Sequence, residues 1–199
     1  KKAEEEELRL HRELEEAYRQ LERRVREITA SIMFTDLEGS TELLRSLGDE
    51  ENQVLLQAHN RIIRQQVANH GGLEVKTTGD GFMVVFYSIR RAAACAVDIQ
   101  RKLDEFNQQK PDRLLKARIG INVGETIKEE EDYFGGAVVL AARIMAQAAG
   151  GQILVSDLVR KLVGDTSGFQ YIDYGCRKLK GFAEEEHLYE VDWRGQGGA

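Results

Sequence analysis

The spacing of hydrophobic residues changes abruptly close to residue 29. Before that point, residues 4–28 are rich in Glu, Arg and Leu, contain no Gly or Pro, and follow a seven-residue repeat. Its a and d positions fall on His11, Leu14, Tyr18, Leu21, Val25 and Ile28. A helix with an apolar stripe only two positions wide has little to bury unless it pairs with another helix. The pattern predicts a short parallel coiled coil that joins two copies of the chain, with a solvated surface helix as the alternative.

Beyond residue 28, short apolar runs alternate with longer amphipathic stretches, which is typical of strands alternating with helices. Strands are predicted at residues 29–37, 73–78, 82–87, 117–123 and 152–155, and near 169–173, 177–180 and 187–191. Helices are predicted at residues 39–70, 90–107 and 136–149, followed by a short helix capped by Ser156. The order β-α-β-β-α-β with C-terminal additions predicts an α+β fold of the ferredoxin-like type. We divide the chain into a helix at 1–28, a globular domain at 29–193 and a tail at 194–199.

Composition narrows the class of protein. The 199 residues are 42% hydrophobic, enough for a substantial core, and no apolar run approaches the ~18–20 residues that cross a bilayer. Two cysteines without metal-ligand spacing favour a reducing, cytoplasmic location, and a net charge of −6 argues against a nucleic-acid partner. Because the chain begins Lys1-Lys2 without Met or a signal peptide, we expect a piece of a longer protein whose membrane anchor, if any, lies upstream.

Two aspartates are predicted to meet at one end of the sheet. In this topology the first strand lies antiparallel beside the third, so its C-terminal end, with Asp36, meets the turn with Asp80. Neighbouring strands are about 4.8 Å apart, which brings the two carboxylates together. Paired hard oxygen ligands suit Mg²⁺, and two such ions roughly 4 Å apart can act in an in-line displacement at phosphorus. Taken singly, Asp36 is better explained as a helix cap and Asp80 as an ordinary turn residue; only their convergence beside an anion-binding loop favours the metal site.

The loop after Asp36 leads into a predicted helix. It consists of Leu37, Glu38, Gly39, Ser40 and Thr41. Unpaired N–H groups and the helix dipole favour an anion at a helix N-terminus, so the loop predicts a phosphate-binding site beside the two aspartates.

Four segments resemble the class III nucleotidyl cyclases. They are FTDLEGST at 34–41, VKTTGDGF at 75–82, DYFGGAVVLAARI at 132–144 and LKG at 179–181. The resemblance spans about residues 31–191 and implies a homodimer with active sites across its interface. It implies two Mg²⁺ or Mn²⁺ ions per site on Asp36, Leu37 and Asp80, and conversion of ATP to 3′,5′-cyclic AMP and pyrophosphate. The preceding helix resembles the transducer of sensor-linked cyclases, so an upstream sensor is an expected partner.

The resemblance also assigns substrate-binding and catalytic residues. Lys76 and Asp132, acting from the other protomer, occupy the base-reading positions of adenylyl cyclases, where guanylyl cyclases typically carry Glu and Cys. A lysine donor serves adenine N1 and a carboxylate accepts from the N6 amino group, so this chemistry favours ATP over GTP. Arg143 matches the transition-state arginine and Lys180 the triphosphate-binding lysine. The alternatives are an exposed strand lysine at 76, a solvated acidic loop at 129–132 and surface roles for the other two.

One position departs from the family pattern. Cyclases usually carry Asn four residues before the arginine, whereas this chain has Val139. Losing one polar transition-state contact typically costs on the order of 10²-fold in rate. Three outcomes remain open: slow turnover, compensation by Gln147 one helical turn after Arg143, or a nucleotide-binding signalling module without catalysis. A cyclase with another base preference and a purely structural adaptor are further alternatives.

The remaining candidates indicate no chemistry. His59 and His70 lie on or near a helix among polar neighbours, with no Cys or His at ligand spacing. Cys95 lies in an apolar stretch and is predicted to be a small core residue.

Overall fold

The computed structural model describes residues 2–164 and 168–195. The helices are α1 Lys2–Arg26, α2 Ser40–Leu47, α3 Asp49–Asn69, α4 Ile89–Gln109, α5 Gly136–Met145 and α6 Asp157–Val163. The strands are β1 Glu27–Leu37, β2 Leu73–Thr78, β3 Gly81–Phe86, β4 Ala117–Glu129, β5 Asp132–Phe134, β6 Ile153–Ser156, β7 Gln170–Lys178 and β8 Glu185–Asp192. Within these residues one sheet runs in the order β2-β3-β1-β4-β6-β8-β7, and β5 pairs with β4.

The ferredoxin-like βαββαβ prediction is confirmed by the pairing of the central strands. β1 is antiparallel to β3 on one side and to β4 on the other. Apolar side chains from α3, α4 and α6 pack on one face of the sheet, where Leu55, Ile63 and Ile99 are buried. A smaller cluster on the other face includes Ala141 of α5. The central strands are therefore covered on both faces, which fixes the ends that carry the candidate site.

Several predicted boundaries were wrong. The single helix predicted at 39–70 is two helices, because Gly48 has a φ of 76°, outside the helical region. The two strands predicted near 169–173 and 177–180 are one strand, β7, whose pairing with β8 is irregular between Asp173 and Gly175. The acidic stretch predicted to be a loop is the tight turn of the β4–β5 hairpin.

The predicted cap of the short helix is confirmed. Ser156 caps α6, since its Oγ accepts a hydrogen bond from the Val159 N–H.

The N-terminal helix ends earlier than the repeat suggested. α1 ends at Arg26 and β1 begins at Glu27 without a loop, so Ile28 is a strand residue and its assignment to a coiled-coil position was wrong. The Ile28 carbonyl accepts a hydrogen bond from Thr126 Oγ1 at 2.8 Å, which ties the strand to β4. The other apolar residues of the repeat in α1, Leu14, Tyr18 and Leu21, are solvent-exposed in the single chain; Tyr18 is 62% exposed. The Val25 side chain, and residues 196–199 of the predicted tail, lie outside the described residues.

Among the described residues, no helix combines the length and the apolar character needed to span a bilayer.

Candidate functional site

The two aspartates lie at neighbouring strand ends, as predicted. Thr35 pairs with Phe82 across β1 and β3, which puts Asp36, one residue later, beside the turn that holds Asp80. The Asp36 side chain is 25% exposed, and its Oδ2 accepts a hydrogen bond from the Arg118 guanidinium. His59 of α3 lies near this end of the sheet, with its ring centroid 6.2 Å from that of Phe82.

Asp80 has the properties of a cation ligand. Its Oδ2 is buried and has no hydrogen-bond partner among the described residues. A buried carboxylate oxygen without a donor is costly unless a cation neutralises it. No group of three or more His, Cys, Asp or Glu side chains within the described part of the chain converges in a metal-binding arrangement. A divalent cation would therefore take Asp36, Asp80 and the main-chain oxygen of Leu37, with water and substrate completing its shell, as Mg²⁺ prefers.

The loop between β1 and α2 is fastened to neighbouring segments. The Glu38 N–H donates to the Lys116 carbonyl at 2.9 Å, and the Glu38 Oε1 accepts from the Gly150 N–H at 2.8 Å. The Glu38 carboxylate is thus occupied by the turn after α5. Ser40 and Thr41 are the first two residues of α2, which begins four residues after Asp36.

The two predicted base-reading residues form an ion pair. Lys76 Nζ lies 2.9 Å and 2.7 Å from the two carboxylate oxygens of Asp132. The side chains are 45% and 34% exposed, so both are accessible from the surface. The hydrogen bond from Lys76 holds the pKa of Asp132 below its ordinary value. The hairpin turn that looked like a solvated loop therefore places Asp132 against β2.

The helix α5 carries Arg143 and Val139 on its exposed surface, and Val139 is 47% exposed. Gln147 does not continue this helix, because α5 ends at Met145 and the Gln147 carbonyl accepts from Tyr174 Oη in the following turn. The expectation that Gln147 lies one helical turn beyond Arg143 was wrong. Lys180 is exposed in the loop after β7.

Two residues near the aspartates were missed or dismissed in the sequence. Arg118 is a charged residue inside the apolar strand β4, and only the β1–β4 register shows that it lies opposite Asp36. His59, for which the sequence indicates no chemistry, is fully buried on the face of α3 that also carries Leu55 and Ile63. The i, i+4 spacing of these three residues was the available signal. Burial lowers the pKa of His59, against the opposing influence of the two aspartates.

Comparison with known proteins identifies the family of the chain. The family model described as "Adenylate and Guanylate cyclase catalytic domain" matches residues 23–192. An adenylate cyclase of Mycosarcoma maydis is 35% identical over an alignment of 159 positions that covers 67% of this chain; the chain spans 6% of that protein's length. Among solved structures, the adenylyl cyclase CyaB from P. aeruginosa has a TM-score of 0.74 at 25% identity, covering 83% of this chain and 94% of that one. The guanylyl cyclase Cya2 has a TM-score of 0.71 at 29% identity, covering 83% and 92%.

Proposed function

Since the chain belongs to the adenylate and guanylate cyclase catalytic-domain family, we propose that it is an adenylyl cyclase that converts ATP to 3′,5′-cyclic AMP and pyrophosphate. The observation that carries this proposal is the pair Asp36 and Asp80 at adjacent strand ends, with a buried Asp80 oxygen that lacks a donor among the described residues. One or two carboxylates together with substrate phosphates are the usual ligands of Mg²⁺ in nucleotide-dependent enzymes.

The reaction needs one bond formed and one broken at the α-phosphorus. The ribose 3′-hydroxyl releases its proton to water and its oxygen attacks the α-phosphorus, while the bond from the α-phosphorus to the α–β bridging oxygen breaks and pyrophosphate leaves with that oxygen. Asp36, Leu37 and Asp80 would hold Mg²⁺ or Mn²⁺, two ions per site, which would supply Lewis-acid activation of the hydroxyl and neutralise phosphate charge.

Main-chain N–H donors and cationic side chains of the chain bind the phosphates. The N–H groups that open α2 at Ser40 and Thr41 receive the triphosphate, and Lys180 adds a positive charge. Arg143 stabilises the charge that develops on the transferring phosphoryl group. Arg118, which holds Asp36, keeps that carboxylate oriented and supplies a further positive charge beside it.

Recognition of adenine rests on the ion pair between Lys76 and Asp132. The lysine donates to adenine N1 and the carboxylate accepts from the N6 amino group. Guanine reverses this pattern, because its O6 accepts and its N1–H donates. Because both side chains are exposed on the surface of the single chain, a second subunit can reach them. Both residues therefore act on the substrate held by the partner.

The proposed assembly is a homodimer joined through the catalytic domain and through α1. Leu14 and Leu21 are 69% and 60% exposed along one stripe of α1.

Replacing both leucines with glutamate should shift the molar mass measured by light scattering from that of a dimer towards that of a monomer. Arg19→Glu, off the stripe on the same helix, is the matched control. We propose that the catalytic domain is cytoplasmic and that an upstream sensor in the full-length protein changes the relative rotation of these helices; the domain division at residue 29 belongs to the same proposal.

A second candidate function is supported by Val139. This side chain offers neither a donor nor an acceptor at the position where the family carries Asn. A nucleotide-binding signalling module without turnover would need no polar group there. Its dimer would transmit occupancy through α1.

One experiment separates these functions. The protein is incubated with Mn²⁺ and an equimolar mixture of four nucleoside triphosphates, and cyclic products are separated by chromatography. The proposal predicts cyclic AMP in excess of the other cyclic products and a loss of product in Asp36→Ala. Nucleotide binding without any cyclic product would favour the signalling module. Cyclic GMP as the main product would overturn the base assignment.

A further inference from the structure

Besides Arg118 Nε, whose side chain contacts Asp36, three buried polar atoms near this end of the sheet lack a hydrogen-bond partner among the described residues. They are Thr35 Oγ1, His59 Nε2 and Asp80 Oδ2, none of which has a hydrogen-bond partner within the described ranges 2–164 and 168–195. Thr35 is 1% exposed and His59 is fully buried. Buried polar atoms are nearly always hydrogen-bonded, so three in one region indicate a shared partner.

The fold places these atoms on the same side of the sheet. Thr35 shares its face of β1 with Met33 and Leu37, which belong to the core under α3 and α4. Phe82 is the cross-strand partner of Thr35, and its ring centroid lies 6.2 Å from that of His59. Asp80 is two residues before Phe82 and interacts electrostatically with His59. Phe82 is thus the common neighbour of the group.

Hydrogen-bond chemistry defines what the shared partner must be. His59 Nδ1 lies 3.0 Å from the Asn60 Oδ1, which only accepts, so Nδ1 carries the proton and Nε2 is an acceptor. The Asp80 carboxylate oxygen also accepts. The Thr35 hydroxyl has one proton and cannot donate a hydrogen bond to both His59 Nε2 and Asp80 Oδ2. A water molecule donates to two acceptors and accepts from the Thr35 hydroxyl, and three partners are typical of a buried water.

We propose that His59 and Thr35 are positioning residues that hold the Asp80 carboxylate at the metal site through one buried water. The inference rests on the proposed function, because it assigns a cation to Asp80. It adds two residues that touch neither substrate nor metal and that act by fixing the rotamer of a ligand. Groups that orient a metal ligand typically change metal affinity or activity 10–100-fold when removed.

The test measures metal binding without turnover. Mn²⁺ is titrated by calorimetry into the full chain in the absence of nucleotide. His59→Phe keeps an aromatic ring against Phe82 and removes both nitrogens, while Thr35→Val keeps the shape and removes the hydroxyl. Both variants should raise the Kd for Mn²⁺ about tenfold or more, and Thr35→Ser should restore the parent value. His70→Phe is the matched control, since His70 pairs with Asp98 between α3 and α4.

The outcomes separate this inference from the proposed function. If Asp80→Ala abolishes Mn²⁺ binding while His59→Phe and Thr35→Val bind as the parent does, the metal site stands and the positioning role is overturned. If the parent does not bind Mn²⁺, or Asp80→Ala binds normally, both proposals are overturned. If His59→Phe does not fold, Thr35→Val and Thr35→Ser decide the matter alone. A side-chain ¹⁵N spectrum should show the proton of His59 on Nδ1; a proton on Nε2 would exclude the shared water.

Discussion

Replacing Gly120 with alanine should displace α5 and reduce catalysis. A Cβ at Gly120 would lie 2.2 Å from the main-chain nitrogen and 2.5 Å from the Cα of Met145, the last residue of α5. Because both are main-chain atoms, no rotation of a side chain relieves the contact. Ordinary contact needs about 3.5 Å, so the end of α5 must retreat by more than about 1 Å. Arg143 lies two residues before Met145 and moves with it.

The expected losses follow from that displacement. Overpacking of this kind costs about 1–3 kcal/mol, which corresponds to a fall in Tm of roughly 2–12 °C for a domain of this size. A misplacement of about 1 Å at a catalytic group can cost on the order of 10²-fold in rate. We expect a comparable fall in kcat for cyclic AMP formation at saturating Mn²⁺ and ATP, with differential scanning calorimetry giving the Tm.

Gly136→Ala is the matched control. Gly136 is the first residue of the same helix, and a Cβ there meets nothing within 4 Å. This variant should keep the parent's kcat and have an equal or slightly higher Tm. The reasoning is refuted if Gly120→Ala matches the parent in both Tm and kcat, or if both glycine variants lose activity equally.

Three further predictions concern side chains in and away from the site. Exchanging Lys76 for Glu together with Asp132 for Cys should shift product from cyclic AMP towards cyclic GMP in a competition between ATP and GTP; an unchanged product ratio would contradict the base-reading assignment. Val139→Asn should raise kcat by up to about 10²-fold if the rest of the site is competent, whereas an inactive variant would favour the signalling module. Burial raises the pKa of Cys95 to about 12, so it stays a neutral thiol at pH 8 and only the exposed Cys176 should react with a disulfide reagent before denaturation, both reacting after. Two fast-reacting thiols in the native protein would show that Cys95 is accessible.

The meeting of Asp36 and Asp80 could be predicted because it depends on topology alone. Once the order of strands and helices indicated a ferredoxin-like sheet, the first strand had to lie beside the third, and both aspartates follow from that pairing. The observed match of Thr35 with Phe82 agrees with this reasoning. Buried strands such as β3 were equally clear, since all six of its residues are buried and apolar or Gly.

Arg118 and His59 escaped prediction for two different physical reasons. Arg118 contacts Asp36 across 82 residues of sequence, and that contact depends on the exact register of two strands, which periodicity does not determine. His59 is followed by Asn60 and Arg61 and lies two residues after Gln57, so its local sequence resembles a solvent-exposed turn of helix. Its burial depends on which face of α3 meets the sheet.

The end of α1 shows a similar limit. The heptad repeat continues through Ile28, but the helix ends at Arg26 because the next residues pair with β4 over the whole length of β1. A heptad repeat shows only the spacing of apolar side chains. It does not show whether the backbone at residues 27 and 28 forms helical hydrogen bonds or pairs with a strand nearly 100 residues away.

The most direct test of the proposed metal site is a crystal structure of the protein with Mn²⁺ and a non-reactive ATP analogue, with diffraction data collected at the manganese absorption edge. The account predicts anomalous density within coordination distance of the Asp36 and Asp80 carboxylates and beside the phosphates. Anomalous density located elsewhere, or its absence at these two carboxylates while the nucleotide is bound, would contradict it.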